Sequence, residues 1–339
     1  MSAMKYRKLG RNGPEVSALG LGCWAIGGPF FAGAGFRQTA GQALGWGQVD
    51  DAESRRAIDC ALDCGIDFFD TADAYGTGHS ERVLGAALKG RRDRVVIATK
   101  FGNTYDEVAK ELTGGDASPA YIRRACEASL RRLGTDWIDL YQLHLGDLPP
   151  EEAEAVAESL EGLCEAGLIR GYGWSTDDPA RAALFAGRPR ALAVQHAMNV
   201  LSPAPEMLAL CRREELAGIV RSPLAMGLLS GKYGAESRLP ADDIRAGPPD
   251  WLAYFREGGG AAPEMLARLE AIREALTSEG RSLVQGALAW IWASAETAIP
   301  IPGFRREDQV RELAEARAFG ALRPAQMAEI SALLTGAAA

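Results

Sequence analysis

Four side chains that can donate, accept or steer a proton stand at or just after the ends of short apolar runs. Asp70 ends the run IDFFD, and Tyr75 follows it in the turn before a helix. Lys100 ends RVVIATK, and His144 ends WIDLYQLH. A tyrosine has an ordinary pKa of about 10, and a nearby ammonium favours its charged form and so lowers that pKa. These residues predict a site of proton transfer to a bound substrate, with Tyr75 as the acid and Lys100 as the cation beside it.

Taken alone, each of these side chains has a structural explanation. An aspartate after a strand usually caps a turn, a lysine there is usually solvated, and a lone histidine is usually a hydrogen-bonded core residue. Period-two alternation places Asp70 on the same face as Ile66 and Phe68, so its carboxylate points into a core and requires a cation or several donors. The joint occurrence of Asp, Tyr, Lys and His on three successive strand ends therefore favours catalysis.

The spacing of apolar residues predicts the scaffold that brings these side chains together. A hairpin of Met4–Lys8 and Glu15–Ala18 precedes eight strands, each followed by a helix. The predicted strands are Leu19–Cys23, Ile66–Asp70, Arg94–Thr99, Trp137–His144, Leu168–Ser175, Leu192–Gln195, Gly218–Pro223 and Ala298–Pro300. Eight alternating βα units close into a barrel, so the predicted fold class is α/β, a (β/α)8 TIM barrel in a single domain over residues 1–339. The active site of such a barrel lies at the carboxyl ends of its strands.

Three long loops are predicted at that same face of the barrel. They are Ala25–Asp50, Gly102–Ala117 and Leu224–Pro263. The first is rich in glycine and carries Phe30, Phe31, Phe36 and Trp46. Loops of this length inside compact domains are usually binding loops or lids, so we expect this one to fold over a bound ligand.

The composition argues against several classes of protein. A formal net charge of −8 over 339 residues disfavours nucleic acid and anionic membranes as partners. No apolar run approaches the ~20 residues of a membrane span, and the amino terminus shows no signal-peptide core. Three histidines without HExxH spacing predict no metal site, and six cysteines without CxxC spacing are typical of a reduced, cytoplasmic protein. Cys60 and Cys64 lie one helical turn apart, which fits helix packing better than a redox pair.

Longer stretches of the sequence resemble the aldo-keto reductase family. FFDTADAYGTGHSE resembles the signature of the family's second strand, in which the aspartate and the tyrosine are catalytic, and ATK and DLYQLH resemble those of strands three and four. GYGWST, VQHAMN, RSPLAMGLLSGKY and IPIPGFRREDQV resemble the cofactor-binding strand ends that follow in the family's order. The resemblance runs from about Leu9 to Leu313. It implies an NADP(H)-dependent oxidoreductase that transfers a hydride between the cofactor and a carbonyl or alcohol substrate.

The resemblance assigns a role to each of the four candidate catalytic residues. Tyr75 is the general acid in carbonyl reduction and the base in alcohol oxidation, with Lys100 tuning it. Asp70 offsets the burial of Lys100, and His144 orients and polarises the carbonyl oxygen. The implied cofactor is NADPH or NADP⁺, with NADH binding more weakly. The implied substrate is a small aldehyde, ketone or sugar-like molecule, acted on by a monomer or homo-oligomer.

The family binds its cofactor extended across the barrel rim, without a Rossmann domain. Carried over residue by residue, the implied cofactor contacts are Trp24, Ser175, Thr176, Gln195, Arg221, Ser222, Pro223, Leu224, Gly227, Leu229, Lys232, Gly303, Phe304, Arg305, Arg306 and Gln309. Two adjacent guanidinium groups at Arg305 and Arg306 suit a 2′-phosphate. The alternative is that both are solvated side chains at the start of a helix. Thr176, Arg221 and Leu313 depart from the family's usual Asn, aromatic residue and Asn.

Aromatic residues near the strand ends predict the substrate pocket. We expect Trp24, Trp46, Phe101 and Trp174, together with Phe30 or Phe31, to line it. Aromatic walls suit an apolar or sugar-faced carbonyl compound. A second hypothesis is a cofactor-binding regulatory subunit with little turnover, and a third, a barrel lyase or isomerase, would need a metal or phosphate motif.

Overall fold

An antiparallel hairpin precedes the barrel and closes its amino-terminal end. The computed structural model describes residues 5–35 and 39–336, and in it β1 (Tyr6–Lys8) pairs with β2 (Glu15–Ser17). Leu9 and Val16 are fully buried in the same apolar cluster as Phe68, which faces the barrel interior. The predicted hairpin is confirmed, while Met4 lies outside the described residues.

Eight strands form one parallel sheet that curves into a barrel. In spatial order they are β3 (Leu21–Gly22), β5 (Phe68–Asp70), β6 (Val96–Phe101), β9 (Ile138–Leu143), β10 (Ile169–Ser175), β11 (Ala191–Ala197), β12 (Ala217–Arg221) and β13 (Ala298–Pro300). The N–H groups of Gly20 and Gly22 donate to the carbonyls of Pro300 and Pro302 at 3.0 Å, which joins the first barrel strand to the last. The predicted (β/α)8 barrel is confirmed.

Helices surround the barrel and cover its outer face. They are α1 (Asp51–Asp63), α2 (His79–Ala87), α3 (Pro119–Leu133), α4 (Ala153–Glu165), α5 (Pro179–Ala183), α6 (Pro205–Glu214), α7 (Pro263–Thr277), α8 (Leu283–Ser294), α9 (Glu307–Glu315) and α10 (Pro324–Gly336). α3 shows how the sequence fixes such bounds. The Ser118 hydroxyl accepts the N–H of Tyr121 at its start, and Gly134, with φ of 65°, ends it in the left-handed conformation.

One predicted loop contains regular structure instead. Within Gly102–Ala117, β7 (Asn103–Asp106) and β8 (Glu111–Gly115) form an antiparallel hairpin, to which β4 (Phe31–Ala32) of the first loop adds a third strand. The prediction of an irregular loop was wrong because the hairpin buries little apolar surface beyond Leu112. A strand that lacks an apolar face gives no alternating pattern to detect.

The end of the chain also differs from the prediction. The predicted helix Glu307–Ala318 ends at Glu315 and is followed by one turn of 3-10 helix. α10 was not predicted, although Met327, Ile330 and Leu334 recur at helical spacing. Ile330 is buried in the cluster that includes residues of α7 and α8, so this helix completes the outer layer.

The first and third long loops join across the mouth of the barrel. Trp46 and Asp243 pair as an antiparallel bridge, and the N–H of Ile244 donates to the carbonyl of Gly45 at 2.8 Å. We call these four residues the loop bridge. Phe36 of the first loop lies outside the described residues. Within residues 5–35 and 39–336, no helix is long and apolar enough to cross a membrane.

Candidate active site

Lys100 lies at the base of a large cavity in the barrel mouth, where it is fully buried. Its ammonium donates to Oδ2 of Asp70 at 2.6 Å, to the carbonyl of Thr71 at 2.8 Å and to the hydroxyl of Tyr75 at 3.1 Å. An ammonium has three donors, so each one has a protein acceptor. Burial lowers the pKa of Lys100, but attraction to Asp70 and Tyr75 outweighs it and the net pKa is raised. Lys100 therefore stays charged beside Tyr75.

Asp70 is held by two glutamines as well as by Lys100. Its second oxygen, Oδ1, accepts Nε2 of Gln195 at 2.7 Å and Nε2 of Gln142 at 3.2 Å. A buried ion pair is stable only when its remaining lone pairs are satisfied, which these amides do. Gln142 was missed in the sequence, although it is a polar residue on the inward face of β9, in register with Lys100. Gln195, expected to contact the cofactor, also supports the aspartate.

Tyr75 lies with its ring between Trp24 and Lys100. The Trp24 ring stacks on it with centroids 5.7 Å apart and planes 16° apart, and the Lys100 Nζ lies 4.7 Å from the centre of the Tyr75 ring. Burial raises the pKa of Tyr75, and Lys100 lowers it as expected; the effect of burial is the larger one, so the net pKa is raised. The phenol keeps its proton at neutral pH. Because its oxygen accepts from Lys100, that proton is left to be donated into the cavity.

His144 follows β9, two strands away from β5 in the barrel, and faces Tyr75. The two rings meet edge to face with centroids 5.9 Å apart, and His144 lines the cavity. Its Nδ1 is buried without a hydrogen-bond partner among the described residues. Burial, together with the positive charges of Lys100 and Arg221, holds the pKa of His144 well below its usual value. The ring is neutral at pH 7 and has one N–H to donate to a substrate oxygen.

The cavity has a volume of about 1230 Å³, enough for a dinucleotide and a small substrate. Most residues expected to contact the cofactor line it: Trp24, Ser175, Gln195, Arg221, Ser222, Pro223, Leu224, Gly227, Lys232, Gly303, Phe304, Arg305, Arg306 and Gln309. The structure thus brings together in one cavity segments from β3 to the start of α9. Asp177 and Asn103 line it as well, and neither was singled out in the sequence.

Four of the predicted contacts lie elsewhere. Phe101 packs on Tyr141 with ring centroids 4.6 Å apart, and Trp174 packs on Phe185 at 5.0 Å. Phe101 follows the inward-facing Lys100, and Trp174 precedes the inward-facing Ser175. Strand alternation therefore turns both rings outward, into the core under the helices. Thr176 donates its hydroxyl to the carbonyl of Gly146 at 2.8 Å, and Leu229 is fully buried in the core. The expectation that these four line the cavity is corrected.

The remaining aromatic residues form a wall on one side of Tyr75. Trp24 meets Trp46 edge to face at 5.5 Å, and Trp251 of the third loop lies 6.5 Å from Trp24. Trp251 is 57% exposed, which places it at the outer rim. Phe30 lines the cavity, which decides between Phe30 and Phe31. Trp251 was missed because a lone aromatic residue in a long loop carries no positional signal.

The segment after β13 offers groups of the kind that a nucleotide phosphate requires. Gly303 lines the cavity, and a Cβ placed on it would meet no protein atom closer than 3.9 Å. Protein packing therefore does not require a glycine there, whereas a ligand lying against the backbone would. Arg306 is exposed and donates twice to the Asp308 carboxylate at 2.9 Å, the geometry that a phosphate could also take. These groups fit a phosphorylated dinucleotide.

Arg305 and Gln309 have a different role in the same segment. Arg305 is half-buried and donates to the backbone carbonyls of Trp46 and Gln48 in the first loop. The side-chain oxygen of Gln309 accepts the N–H groups of Arg305 and Arg306 at 2.9 and 3.1 Å. Arg305 thus links this segment to the first loop, and Gln309 fixes the start of α9. Among the described residues, no cluster of His, Cys, Asp or Glu could hold a metal ion.

Comparison with known proteins gives one consistent finding over most of the chain. The model of the Aldo/keto reductase family matches residues 33–335. The aldo-keto reductase YhdN of Bacillus subtilis is 33% identical over 316 residues, which are 92% of this chain and 88% of that protein. The Schizosaccharomyces pombe protein named aldo-keto reductase yakc [NADP(+)] is 29% identical over 326 residues, 94% of this chain and 86% of that protein.

Solved structures of similar proteins cover nearly the whole chain. The holo form of aldo-keto reductase AKR11C1 from Bacillus halodurans superimposes with a TM-score of 0.76 at 30% identity, over 98% of this chain and 96% of that one. The glycerol dehydrogenase AKR11B4 from Gluconobacter oxydans gives a TM-score of 0.79 at 28% identity, over 99% and 96%. The barrel with its amino-terminal hairpin therefore matches proteins of known structure.

Proposed function

The chain belongs to the aldo/keto reductase family, and we propose that it transfers a hydride between NADP(H) and the carbonyl or alcohol carbon of a small molecule. Membership confirms the resemblance of the sequence motifs and makes the protein an oxidoreductase. The observation that carries the proposal is the hydrogen-bonded series of Asp70, Lys100 and Tyr75 at the base of the cavity.

The protein's part in carbonyl reduction is to donate one proton to the carbonyl oxygen and to stabilise the group that has donated it. The hydride for the carbonyl carbon would come from NADPH held by the cavity residues named above. Negative charge then develops on the carbonyl oxygen, which needs a donor within about 2.6–3.2 Å. Tyr75 fits this role because its proton is free to be donated into the cavity. As that proton leaves, the Lys100 ammonium at 3.1 Å stabilises the phenolate, and Asp70 at 2.6 Å keeps the ammonium charged.

His144 holds the reacting oxygen in place. The neutral imidazole faces Tyr75 across the cavity, so one carbonyl oxygen can accept from both groups. A neutral donor polarises the carbonyl without competing with Tyr75 for the proton transfer. The same arrangement, with Tyr75 as base, serves alcohol oxidation, the direction that the name of the Gluconobacter glycerol dehydrogenase indicates for that protein.

The proposed cofactor is NADPH or NADP⁺, with NADH weaker. Ser175 and Gln195 have the hydroxyl and amide that a nicotinamide carboxamide pairs with, and Arg306 has the guanidinium for a 2′-phosphate. The Schizosaccharomyces relative carries NADP(+) in its name, which supports this choice. We also propose a cytoplasmic location, because all six cysteines are unpaired thiols.

The substitution Tyr75→Phe tests the proposed function. With NADPH and a panel of aldehydes and ketones, the wild type should oxidise NADPH, which is measured as the rate of loss of the NADPH absorbance. Tyr75→Phe should reduce that rate by ~10²-fold or more. NADPH binding, followed by fluorescence, should stay within a few-fold. Tyr6→Phe, at the opposite end of the barrel and half exposed, is the matched control. Near-wild-type turnover by Tyr75→Phe would remove Tyr75 as the proton donor, and cofactor binding without turnover on any substrate would favour a regulatory subunit.

A further inference from the structure

Arg221 lies on β12, above the layer of the barrel mouth that contains Ser175 and Gln195, two of the residues expected to contact the nicotinamide. Ser175, Gln195 and Ile219 are paired across neighbouring strands and form one layer of the barrel mouth. Arg221 follows Ile219 by two residues, so it is on the same inward face about 6–7 Å above that layer. A hydride donor must come within about 3–3.5 Å of the carbonyl carbon, and the carbonyl oxygen is held at Tyr75. A nicotinamide ring bound at Ser175 and Gln195, as proposed, would therefore lie within reach of the Arg221 charge.

Asp177 fixes the position of the Arg221 guanidinium. One carboxylate oxygen of Asp177 accepts the N–H of Ala197 at 2.7 Å, and the other accepts from Nη2 of Arg221. The carboxylate is thus anchored to the backbone of β11, and both side chains line the cavity. The Arg221 side chain is 32% exposed, so a ligand in the cavity can reach it. This pair belongs to neither the proton-donating series nor the phosphate segment.

The proton-donating series adds a second ion pair to this part of the cavity. Lys100 is paired with Asp70 at 2.6 Å, and both are buried. The oxidised nicotinamide ring carries a unit positive charge that the reduced ring lacks. The field of Arg221 therefore acts differently on the two forms of the cofactor, and Asp177 reduces that field at the same place.

We propose that the Arg221–Asp177 pair sets the ratio of the affinities for the reduced and the oxidised cofactor. This inference rests on the proposed function. Arg221 repels the oxidised ring and so favours NADPH, while Asp177 limits this effect. In carbonyl reduction the oxidised cofactor is the product, so the pair also governs how readily that product leaves. The residues act on binding and are distinct from the proton donor.

The ratio of two dissociation constants tests the proposal. Kd values for NADPH and NADP⁺ are measured by titration calorimetry on the full chain and on three variants. Arg221→Met should lower the ratio Kd(NADP⁺)/Kd(NADPH) by about ten-fold, and Asp177→Asn should raise it several-fold. Arg221→Lys, which keeps the charge, should stay within about two-fold of the wild type and is the matched control. A loss of structure would weaken the binding of both NADPH and NADP⁺. It would not lower the ratio in Arg221→Met and raise it in Asp177→Asn.

The outcomes separate this inference from the proposed function. Opposite shifts of the ratio in Arg221→Met and Asp177→Asn support it. Binding of both cofactor forms with a ratio that no variant changes overturns the inference and leaves the proposed function standing. Shifts in the same direction for both variants also overturn it. If the wild type binds neither form, the proposed function fails, and this inference fails with it.

Discussion

At the scale of single residues, Lys100 can act only through its neighbours. All three of its donors are used by Asp70, Thr71 and Tyr75, and it is fully buried. It therefore offers nothing to a substrate directly. Its effect on the reaction is to stabilise the Tyr75 oxygen once the proton has left, which predicts a specific pattern of defects.

Lys100→Met should lower kcat for carbonyl reduction by at least ~10²-fold, because the phenolate then forms without its cation. It also leaves the buried Asp70 charge unpaired, at a stability cost of about 3–5 kcal/mol. The double variant Asp70→Asn/Lys100→Met removes both charges, so it should recover much of the stability but none of the activity. Turnover and thermal melting measure the two effects, with Lys89→Met as an exposed control. Recovery of activity in the double variant would contradict the role of Lys100.

The two arginines after β13 should differ in their effects, although the sequence motif treats them alike. Arg306 is exposed and pairs only with Asp308 at its guanidinium among the contacts described, so Arg306→Ala should raise KM for NADPH about ten-fold or more. KM for NADH should change little. Arg305 instead holds the carbonyls of Trp46 and Gln48, so Arg305→Ala should raise both KM values together. Steady-state kinetics with both cofactors decides, and equal effects of Arg306→Ala on NADPH and NADH would remove it as the 2′-phosphate contact.

Sequence reasoning found the residues at strand ends and missed those that support them. Asp70, Lys100 and His144 were predicted because polar side chains ending apolar strands are unusual. Gln142 sits two residues before His144 and has no such signal, since a glutamine in a strand is common. The pKa of Tyr75 could not be predicted either, because its direction depends on how deeply Trp24 and the barrel bury the ring.

At the scale of elements, the third loop is held in place by one buried ion pair. Arg245 donates to the Asp243 carboxylate at 2.9 and 2.7 Å, and its guanidinium lies 4.6 Å from the Trp46 ring and 4.8 Å from the Tyr233 ring. Because Asp243 belongs to the loop bridge, Arg245 fixes both loops at once. The sequence shows both loops as long and irregular, but it cannot show that they meet.

Arg245→Ala should loosen both loops and weaken cofactor binding. It leaves the carboxylate of Asp243, a residue of the loop bridge, without its cation, so hydrogen exchange should become faster in Ala25–Asp50 and in Leu224–Pro263. Addition of NADP⁺ to the wild type should slow exchange in the same two segments. Arg238→Ala removes an exposed arginine of the same loop and is the control. Unchanged exchange in both segments after Arg245→Ala would show that the loop bridge does not depend on this ion pair.

Strand alternation explains where the element-level predictions succeeded and failed. It placed Asp70 inside the barrel, as found. Applied one residue further, it also places Phe101 and Trp174 outside, yet both were assigned to the pocket because they stand beside strand ends. The bounds of α3 matched because Ser118 and Gly134 mark both of its ends. The β7–β8 hairpin was not predicted because its strands have no buried apolar face, so the sequence shows no alternating pattern there.

At the scale of the whole molecule, the number and order of βα units were enough to predict the barrel. Strand closure and the position of the long loops at one face follow from that count, and the family comparisons agree with the barrel fold. α10 was missed because it lies beyond the last repeat. That residues 1–339 form a single domain remains a prediction.

Stability should fall in acid because of a histidine outside the proton-donating site. Burial lowers the pKa of His196 to about 4, and its Nε2 has no partner among the described residues. The unfolded chain, with a histidine pKa of about 6.5, binds a proton that the folded state does not, so stability is lost as pH falls below 6.5. Between pH 7.5 and 4.5 the stability of the wild type relative to His196→Gln should drop by about 2–3 kcal/mol. Urea unfolding at both pH values measures it, and a constant difference would contradict it; His79→Gln, at a partly exposed histidine that contacts Asp51, is the control.

The loop bridge affects how a long ligand can bind and be released. A dinucleotide bound as proposed would reach from Ser175 to Arg306, and Trp46, Ile244 and Arg305 line the same cavity. Joined loops turn an open groove into a passage, so an intact dinucleotide has to thread through it or wait for the loops to part. A half-length molecule such as a mononucleotide needs neither. The residence time of a ligand should therefore rise steeply with its length. The slowest step of a catalytic cycle would then be the separation of the two loops rather than the chemical step.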